Sequence, residues 1–437
     1  MMERMAAVLV YIIATLLTVG LCVFFAPKGE KAELRIDSNE GSAVQNPGRK
    51  KRIISCFLCM LPLLAVMSCR WNLGVDMWYT YAPGYLALKS EAVSLTEEEK
   101  KTIQTSMQLH AYWDHWKENA DDAKRISLDF AQEFYLKDYH HAGIGFQLVE
   151  RFLALLRADV QWFYFATSLF VIGFFFASFW IQNTRPMWAA LLFVITANFF
   201  VALSVVAQYI AVAICVFACF FAEKRKPVWF FLLVGIAVSI HYSAIVFIPV
   251  YFLPKLKIKP LWCAVIVAVC LVISRFAFPV ICQVVQWVAP KYTGYIDGAV
   301  GKEAFEWIFF GINCAVFALG TYYYPKGKDL PYYRLWYYIN VLGMICIAFS
   351  GIVPWIKRMN YYYAATHCLF IPLALSLEEN VVRRRVFHAV TVALFCAEIY
   401  VAIFLLNKHG TLPYVAFFQG DRGELMQSMF DLIAGSR

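Results

Sequence analysis

Apolar runs of about 20 residues recur along this chain from one end to the other, and each is long enough to cross a hydrocarbon layer of about 30 Å. No other feature constrains the fold so tightly. In lipid, a spanning segment must satisfy its own backbone hydrogen bonds, and a continuous apolar run does so as an α-helix. A transmembrane barrel would show alternation instead. Composition agrees, with 61% hydrophobic and only 16% charged residues, a balance foreign to soluble domains. The sequence predicts an all-α, polytopic membrane protein, one integral membrane domain over residues 1–437, with about twelve transmembrane helices.

The net charge of +9 sits in short clusters between the apolar runs. That is the positive-inside signal of membrane topology, so no nucleic-acid partner is expected. With Arg49–Arg52, Lys224–Lys226 and Arg383–Arg385 inside, both termini face the exterior. The first run, Met5 to Ala26, is too long and too poor in cleavage signal for a removed leader and reads as a retained helix. Of the 13 cysteines, Cys56 and Cys59 form a C-x-x-C on a membrane helix without a second pair, which points to neither a metal site nor a disulfide framework.

Residues 71–157 form the one long polar stretch and read as an exterior loop of amphipathic helices at the membrane surface. Ser94-Leu-Thr-Glu-Glu-Glu resembles a capping box. His140 and His141 are neighbours that would point apart on a helix, so they read as structural. Two features mark the next part of the chain. Gln208 and His241 are polar groups in otherwise lipid-like sequence, where such groups are costly without a partner or a wet cavity. The segments on either side of His241 are short, about 13 residues against the usual 17–25, which suggests a cavity breaching the membrane there. A histidine that merely closes a turn is the plainer reading.

In this topology the unusual polar residues gather on the exterior side: Arg70 and Asp76 after span two, Gln208 in span five, His241 between spans six and seven, Arg275 in span eight with Pro279 as a kink, and Lys357 and Arg358 between spans ten and eleven. Several cations at membrane level suit an anion, and the guanidinium fork suits phosphate. A lipid-linked diphosphate fits. The many Trp and Tyr residues fit sugar stacking, although an interfacial belt explains them as well. The chain carries no phosphate-binding Gly-rich loop, no Asp-x-Asp motif and no metal cluster, so no cofactor is expected and the substrate must arrive already activated. There is no internal repeat of the kind many transporters show.

Six stretches resemble the EpsG-type exopolysaccharide polymerases, in the same order and over nearly the whole chain. Arg70 with Gly74-Val75-Asp76 and Tyr79 resembles the R…G-x-D-x-x-Y segment. Gly145-Phe146 and Leu148 resemble E-P-G-Y/F…L. Ala207-Gln208-Tyr209-Ile210-Ala211 resembles R-Q-x-I-A, and His241-Tyr242-Ser243-Ala244 resembles H-K-S-A. Arg358-Met359-Asn360-Tyr361-Tyr362 resembles R-L-x-Y-Y/F, and Pro413-Tyr414 resembles P-Y-K-S. Two positions depart from the pattern: Ala207 stands where the family has Arg, and Gly143 where it has Glu.

The resemblance implies a Wzy-like glycosyltransferase of the bacterial cytoplasmic membrane. Such an enzyme joins undecaprenyl-diphosphate-linked oligosaccharide units at the outer face, among membrane lipid and alongside a chain-length regulator. On that reading His241 takes the hydroxyl proton or orients the acceptor, and Asp76 is the alternative base. Arg70, Arg275, Lys357 and Arg358 hold the diphosphate, while Gln208 and Tyr414 touch substrate. The rivals are a flippase for the same lipid-linked glycan and an O-antigen-ligase-like transferase.

Overall fold

The computed structural model describes residues 2–25, 47–71, 73–114, 126–137, 143–182, 185–276, 307–350 and 356–419, with a few single positions between 280 and 287. The His140–His141 pair, Pro279, the loop 290–302 and the tail beyond 419 lie outside the described residues. Among the described residues the chain is helical, and its one extended feature is an antiparallel bridge between Arg70 and Ala416.

Among the described residues six helices are long and apolar enough to cross a membrane, and a seventh span results if a pair bent by 56° counts as one. The long ones lie within α1 (Met2–Phe25), α2 (Pro47–Cys69), α7 (Val160–Gln182), α10 (Val206–Glu223), α13 (Trp307–Gly327) and α17 (Val381–Ile399), which runs on as a π-helical turn, Tyr400–Leu405. The bent pair is α8 (Pro186–Ile195) with α9 (Asn198–Ser204). Shorter apolar elements are α11 (Pro227–Ile240), a 3₁₀-helix (Tyr242–Lys255), α12 (Pro260–Phe276) and α16 (His367–Ser376). Between α13 and α16 lie α14 (Tyr333–Ala348) and α15 (Ile356–Ala364).

The centre is α10. Its window is 78% buried, against 17% for α17 and 22% for α1 and α13. Small residues explain this position: Ala207, Ala211, Ala213, Cys215, Ala218 and Cys219 are all fully covered and let neighbouring helices approach closely. Packed on α10 are α7, α11 and the 3₁₀-helix, while the peripheral helices turn apolar side chains such as Leu16, Val272 and Leu394 outward, as a lipid-facing surface requires.

The two segments flanking His241 are indeed short, at 14 residues each. They differ in reach. As an α-helix, α11 covers about 21 Å, whereas the 3₁₀ rise carries its partner about 28 Å. Pro249 and Pro254 lie inside the 3₁₀-helix, where the missing N–H and ring crowding disfavour α-helical bonding.

The stretch after α2 folds into a π-helical turn (Met77–Tyr81), α3 (Ala82–Ser90), α4 (Glu97–Asp114), α5 (Leu128–Lys137) and α6 (Ile144–Leu155). The capping box is real and uses Thr96: Glu99 N–H donates to Thr96 Oγ1 at 3.2 Å and Thr96 N–H to Glu99 Oε2 at 3.0 Å. The same Glu99 takes a buried ion pair from Lys89 at 2.7 Å. One expectation fails here. α3 does not lie on a surface; it buries Tyr85, Leu86, Ala87 and Leu88 among the π-turn, α4, α5 and α6.

The alternating direction of these elements gathers the basic loops at one end. There Arg52 donates to the Trp180 carbonyl at 2.9 Å, Arg225 to that of Tyr251 at 2.7 Å, and Lys326 pairs with Glu379 at 2.8 Å. Asp76, His241 and Arg358 stand at the other end.

Candidate functional site

At that second end, the backbone of residues 74–76 is threaded between two other parts of the chain. Gly74 adopts φ +92°, and a Cβ there would lie 2.1 Å from the Leu203 carbonyl oxygen. Only glycine permits both the left-handed conformation and the approach. Gly74 N–H donates to the Gly410 carbonyl at 2.9 Å and Val75 N–H to that of His409 at 3.1 Å. Asp76 N–H then meets Ser204 Oγ at 3.3 Å. These bonds fix Asp76 beside Arg358, with Oδ2 and Nη1 3.6 Å apart. Burial raises the Asp76 carboxyl above its ordinary range, and Arg358 pulls it back down.

Arg358 opens α15 and is half-exposed. Its backbone is held by Gln208, whose Nε2 donates to the Arg358 carbonyl at 2.8 Å. The Oε1 of Gln208 is buried and makes no hydrogen bond among the described residues. Lys357 precedes Arg358 and is partly buried.

His241 caps α11, where its N–H donates to the Ala237 carbonyl at 2.8 Å. Its Nδ1 lies 2.6 Å from Ser243 Oγ, which lies 3.0 Å from the Tyr362 hydroxyl. Tyr362 is wholly buried, and Ser243 is its hydroxyl's hydrogen-bond partner among the described residues. Leaving that buried O–H unmade would cost about 1–3 kcal/mol. The assignment that satisfies this hydroxyl has Tyr362 donating to Ser243, Ser243 donating to Nδ1, and the neutral imidazole carrying its proton on Nε2. Burial and the Arg358 charge push His241 down to about 4, so it is neutral at pH 7.

Three further residues belong to this end, and two of them, His409 and Tyr81, escaped sequence reasoning. His409 is pushed to about 4 by burial, Lys408 and Arg358, so it shares the Arg358 field with His241. Tyr81, buried in the π-turn, lies within electrostatic range of Asp76, Arg358 and Glu150. Glu150, on α6, is buried and raised to about 8 by desolvation. His409 could have been noticed as a histidine beside a lysine in the short polar segment after the last span. The π-turn leaves no such signal.

Not every predicted site residue joins this group. Arg70 is completely buried, donates from Nη1 to the Met67 carbonyl at 2.9 Å and sits 5.6 Å from the centre of the Tyr164 ring. Arg358, and not Arg70, is the cation that acts on Asp76. The Tyr414 hydroxyl is committed to the Val66 carbonyl at 3.0 Å, with its ring edge-on to Tyr11 at 5.6 Å. Arg70, Tyr11, Tyr164 and Tyr414 thus make an aromatic box behind the site. Arg275 lies in the last turn of α12, with its side chain outside the described set. Among the described residues no three His, Cys, Asp or Glu side chains are placed to hold a metal ion.

The six motif stretches converge. Asp76 meets Arg358, Gln208 meets Arg358, His241 and Ser243 meet Tyr362, and Arg70 bridges to Ala416 just past Tyr414. The glycine stretch meets the histidine stretch too: Gly143 N–H donates to the Ile240 carbonyl at 2.9 Å. A Cβ at Gly143 would lie 2.2 Å from the Ser239 carbonyl oxygen. This approach accounts for the departure at that position, because no carboxylate-bearing residue fits there.

A bundle of apolar helices with an acid, a guanidinium and an imidazole clustered at one end of a buried central helix defines a membrane protein with a polar site at the mouth of its bundle. The chain belongs to the EpsG family, whose model matches residues 53–416. That family is one of polysaccharide polymerases, which is consistent with a general role in polysaccharide synthesis. No curated protein and no solved structure matches it significantly.

Proposed function

We propose that this protein is a Wzy-like polymerase that joins undecaprenyl-diphosphate-linked oligosaccharide units at the outer face of the bacterial cytoplasmic membrane. The observation that carries the reading is the Asp76–Arg358 pair beside the neutral His241. Together they offer a carboxylate for a sugar hydroxyl and two donors for a departing diphosphate. The segregation of basic loops to the opposite end favours that end as cytoplasmic. With the bent pair as one span, the four shorter apolar elements and α14 bring the six long helices to twelve crossings, with both termini outside.

In the proposed reaction, a sugar hydroxyl on one lipid-linked unit attacks the anomeric carbon of another. The new glycosidic C–O bond forms as the C–O bond to the diphosphate breaks. The hydroxyl proton passes to Asp76. Undecaprenyl diphosphate leaves with the bonding electrons, and Arg358 with Nε2–H of His241 stabilises its charge. Donors set in place for developing charge are commonly the largest catalytic contribution. Gln208 positions Arg358 through its backbone, and Lys357 adds positive field. Arg70 and Tyr414 support the site from the aromatic box without touching substrate. Asp76 is the base in this proposal, because the assigned hydroxyl chain from Tyr362 puts the imidazole proton on Nε2 of His241.

Purified protein in liposomes, given undecaprenyl-diphosphate-linked units, should yield a polymer ladder. Transfer to a different acceptor would indicate a ligase, and translocation alone a flippase.

A further inference from the structure

The π-turn Tyr400–Leu405 is followed by a segment that the proposed reaction leaves unused. Asn407 takes a φ of +45° and turns the chain back on itself. Its Oδ1 accepts from the N–H groups of Thr411 at 2.9 Å and Leu412 at 3.1 Å, and its Nδ2 donates to the Leu412 carbonyl at 2.8 Å. Gly410 N–H closes the turn on the Asn407 carbonyl at 2.9 Å. The chain then straps the segment that carries Asp76. Besides the bonds from Gly74 and Val75, Trp71 N–H donates to the Val415 carbonyl at 2.7 Å and Phe417 N–H to that of Cys69 at 3.0 Å. The Tyr11 hydroxyl adds a bond to the Thr411 carbonyl at 2.7 Å.

The strap fixes His409 against Val75, the residue before Asp76. It uses the His409 carbonyl and leaves the ring uncommitted. That ring is half-buried and forms no hydrogen bond among the described residues. A neutral imidazole carries one N–H donor, here available to a ligand. The charge around it is positive, since Lys408 and Arg358 both act on it. Arg358 acts on His241 as well. One guanidinium therefore serves two imidazoles, which come from separate elements: the end of α11 and the turn after the last span. A single phosphate needs one such pair of donors, whereas two linked phosphates can use both.

We infer that His409 contacts the substrate, donating a hydrogen bond to the second phosphate of the lipid diphosphate and so setting a preference for diphosphate over monophosphate carriers. The ligand's identity rests on the polymerase reading. Asn407 is the positioning residue, because its three side-chain bonds shape the turn that holds His409 against Val75. Hydrogen bonds to a charged group are among the stronger ones, so one imidazole is enough to separate the two carriers.

The test is binding of undecaprenyl diphosphate and undecaprenyl phosphate, both without sugar, to the full chain in nanodiscs, with polymer formation measured beside it. The native chain should bind the diphosphate roughly tenfold or more tighter than the monophosphate. His409→Ala should lose that margin, leave monophosphate affinity unchanged and keep the native unfolding temperature, since the strap needs only the backbone there. His409→Gln, which retains an N–H donor, should recover most of the margin. Asn407→Ala should reduce the margin and lower the unfolding temperature together. Equal affinity of the native chain for the two carriers would overturn the inference. So would a margin that survives His409→Ala, or a loss of both carriers alike. A native chain that makes no polymer, yet loses its diphosphate margin in His409→Ala, would support the contact and remove the polymerase reading. A native ladder with the margin intact in His409→Ala would do the reverse.

Discussion

The Gln208 side-chain amide donates to the backbone carbonyl of Arg358 at 2.8 Å, across 150 residues of sequence. It ties the first turn of the central helix to the start of α15 and sets where the guanidinium begins. Gln208→Ala should lose about 1 kcal/mol of stability. It should also cut polymer formation roughly tenfold or more, because a misplaced donor loses orientation as well as contact. Thermal unfolding and polymer yield on the same preparation separate the two effects. A full loss of fold with no selective loss of activity would contradict the positioning role.

The hydroxyl chain through His241 has an unusual consequence for mutagenesis. A glutamine can present an N–H donor much as Nε2–H does, so His241→Gln should keep a measurable fraction of the native rate. His241→Ala should lose about tenfold to a hundredfold, the scale of one hydrogen bond to a charged group. The native pH profile should be flat through 6.5. Its acid limb should follow protonation of Asp76, the proposed base, whose carboxyl burial raises above its ordinary range. An inflection near 6.5 together with complete loss in His241→Gln would restore histidine as the base.

Gly143 sits at an ordinary φ of −68°, so its constraint is space and not conformation. Gly143→Ala would push a methyl group against the Ser239 and Ile240 carbonyls. The expected cost is about 1–3 kcal/mol, as for other overpacked sites, with disturbance passed directly to His241. Gly143→Glu, which restores the family's carboxylate, should be worse than alanine. A glutamate variant as stable and active as the native chain would refute the packing account.

Much of this arrangement was legible in the sequence. Continuous apolar runs announced the helices, and the lack of charge around His241 announced two short segments meeting at a polar residue. The Thr96–Glu99 box was visible in its spacing. What could not be read was depth and partnership. Arg70 ends an apolar run and looks like an exposed cation, yet the bridge to Ala416 folds the far end of the chain over it. Ser243 finds Tyr362 across 119 residues, and the tautomer of His241 follows only from that contact. His409 reaches the site through its own backbone bond to Val75, which no side-chain pattern records.

Glu150 gives a pH signature independent of catalysis. Burial raises it to about 8, above the ordinary carboxylate value of about 4.3. A raised acid favours the fold while protonated in both states, below about 4.3, and its contribution is lost as pH rises through 8. Glu150→Gln should therefore match the native stability near pH 4 and exceed it increasingly up to pH 9, by about 1–3 kcal/mol. Unfolding temperatures of the two proteins across that range provide the check. A constant offset would place Glu150 in contact with solvent or a cation.

The central claim is that Asp76 takes the proton and Arg358 holds the diphosphate. The direct measurement is polymer formation and donor binding by Asp76→Asn and Arg358→Ala in liposomes supplied with undecaprenyl-diphosphate-linked units. Asp76→Asn should bind the donor near normally yet polymerise at least about a hundredfold more slowly, the scale of a lost general base. Arg358→Ala should lose donor affinity and rate together. Near-native ladders from both variants would contradict the account.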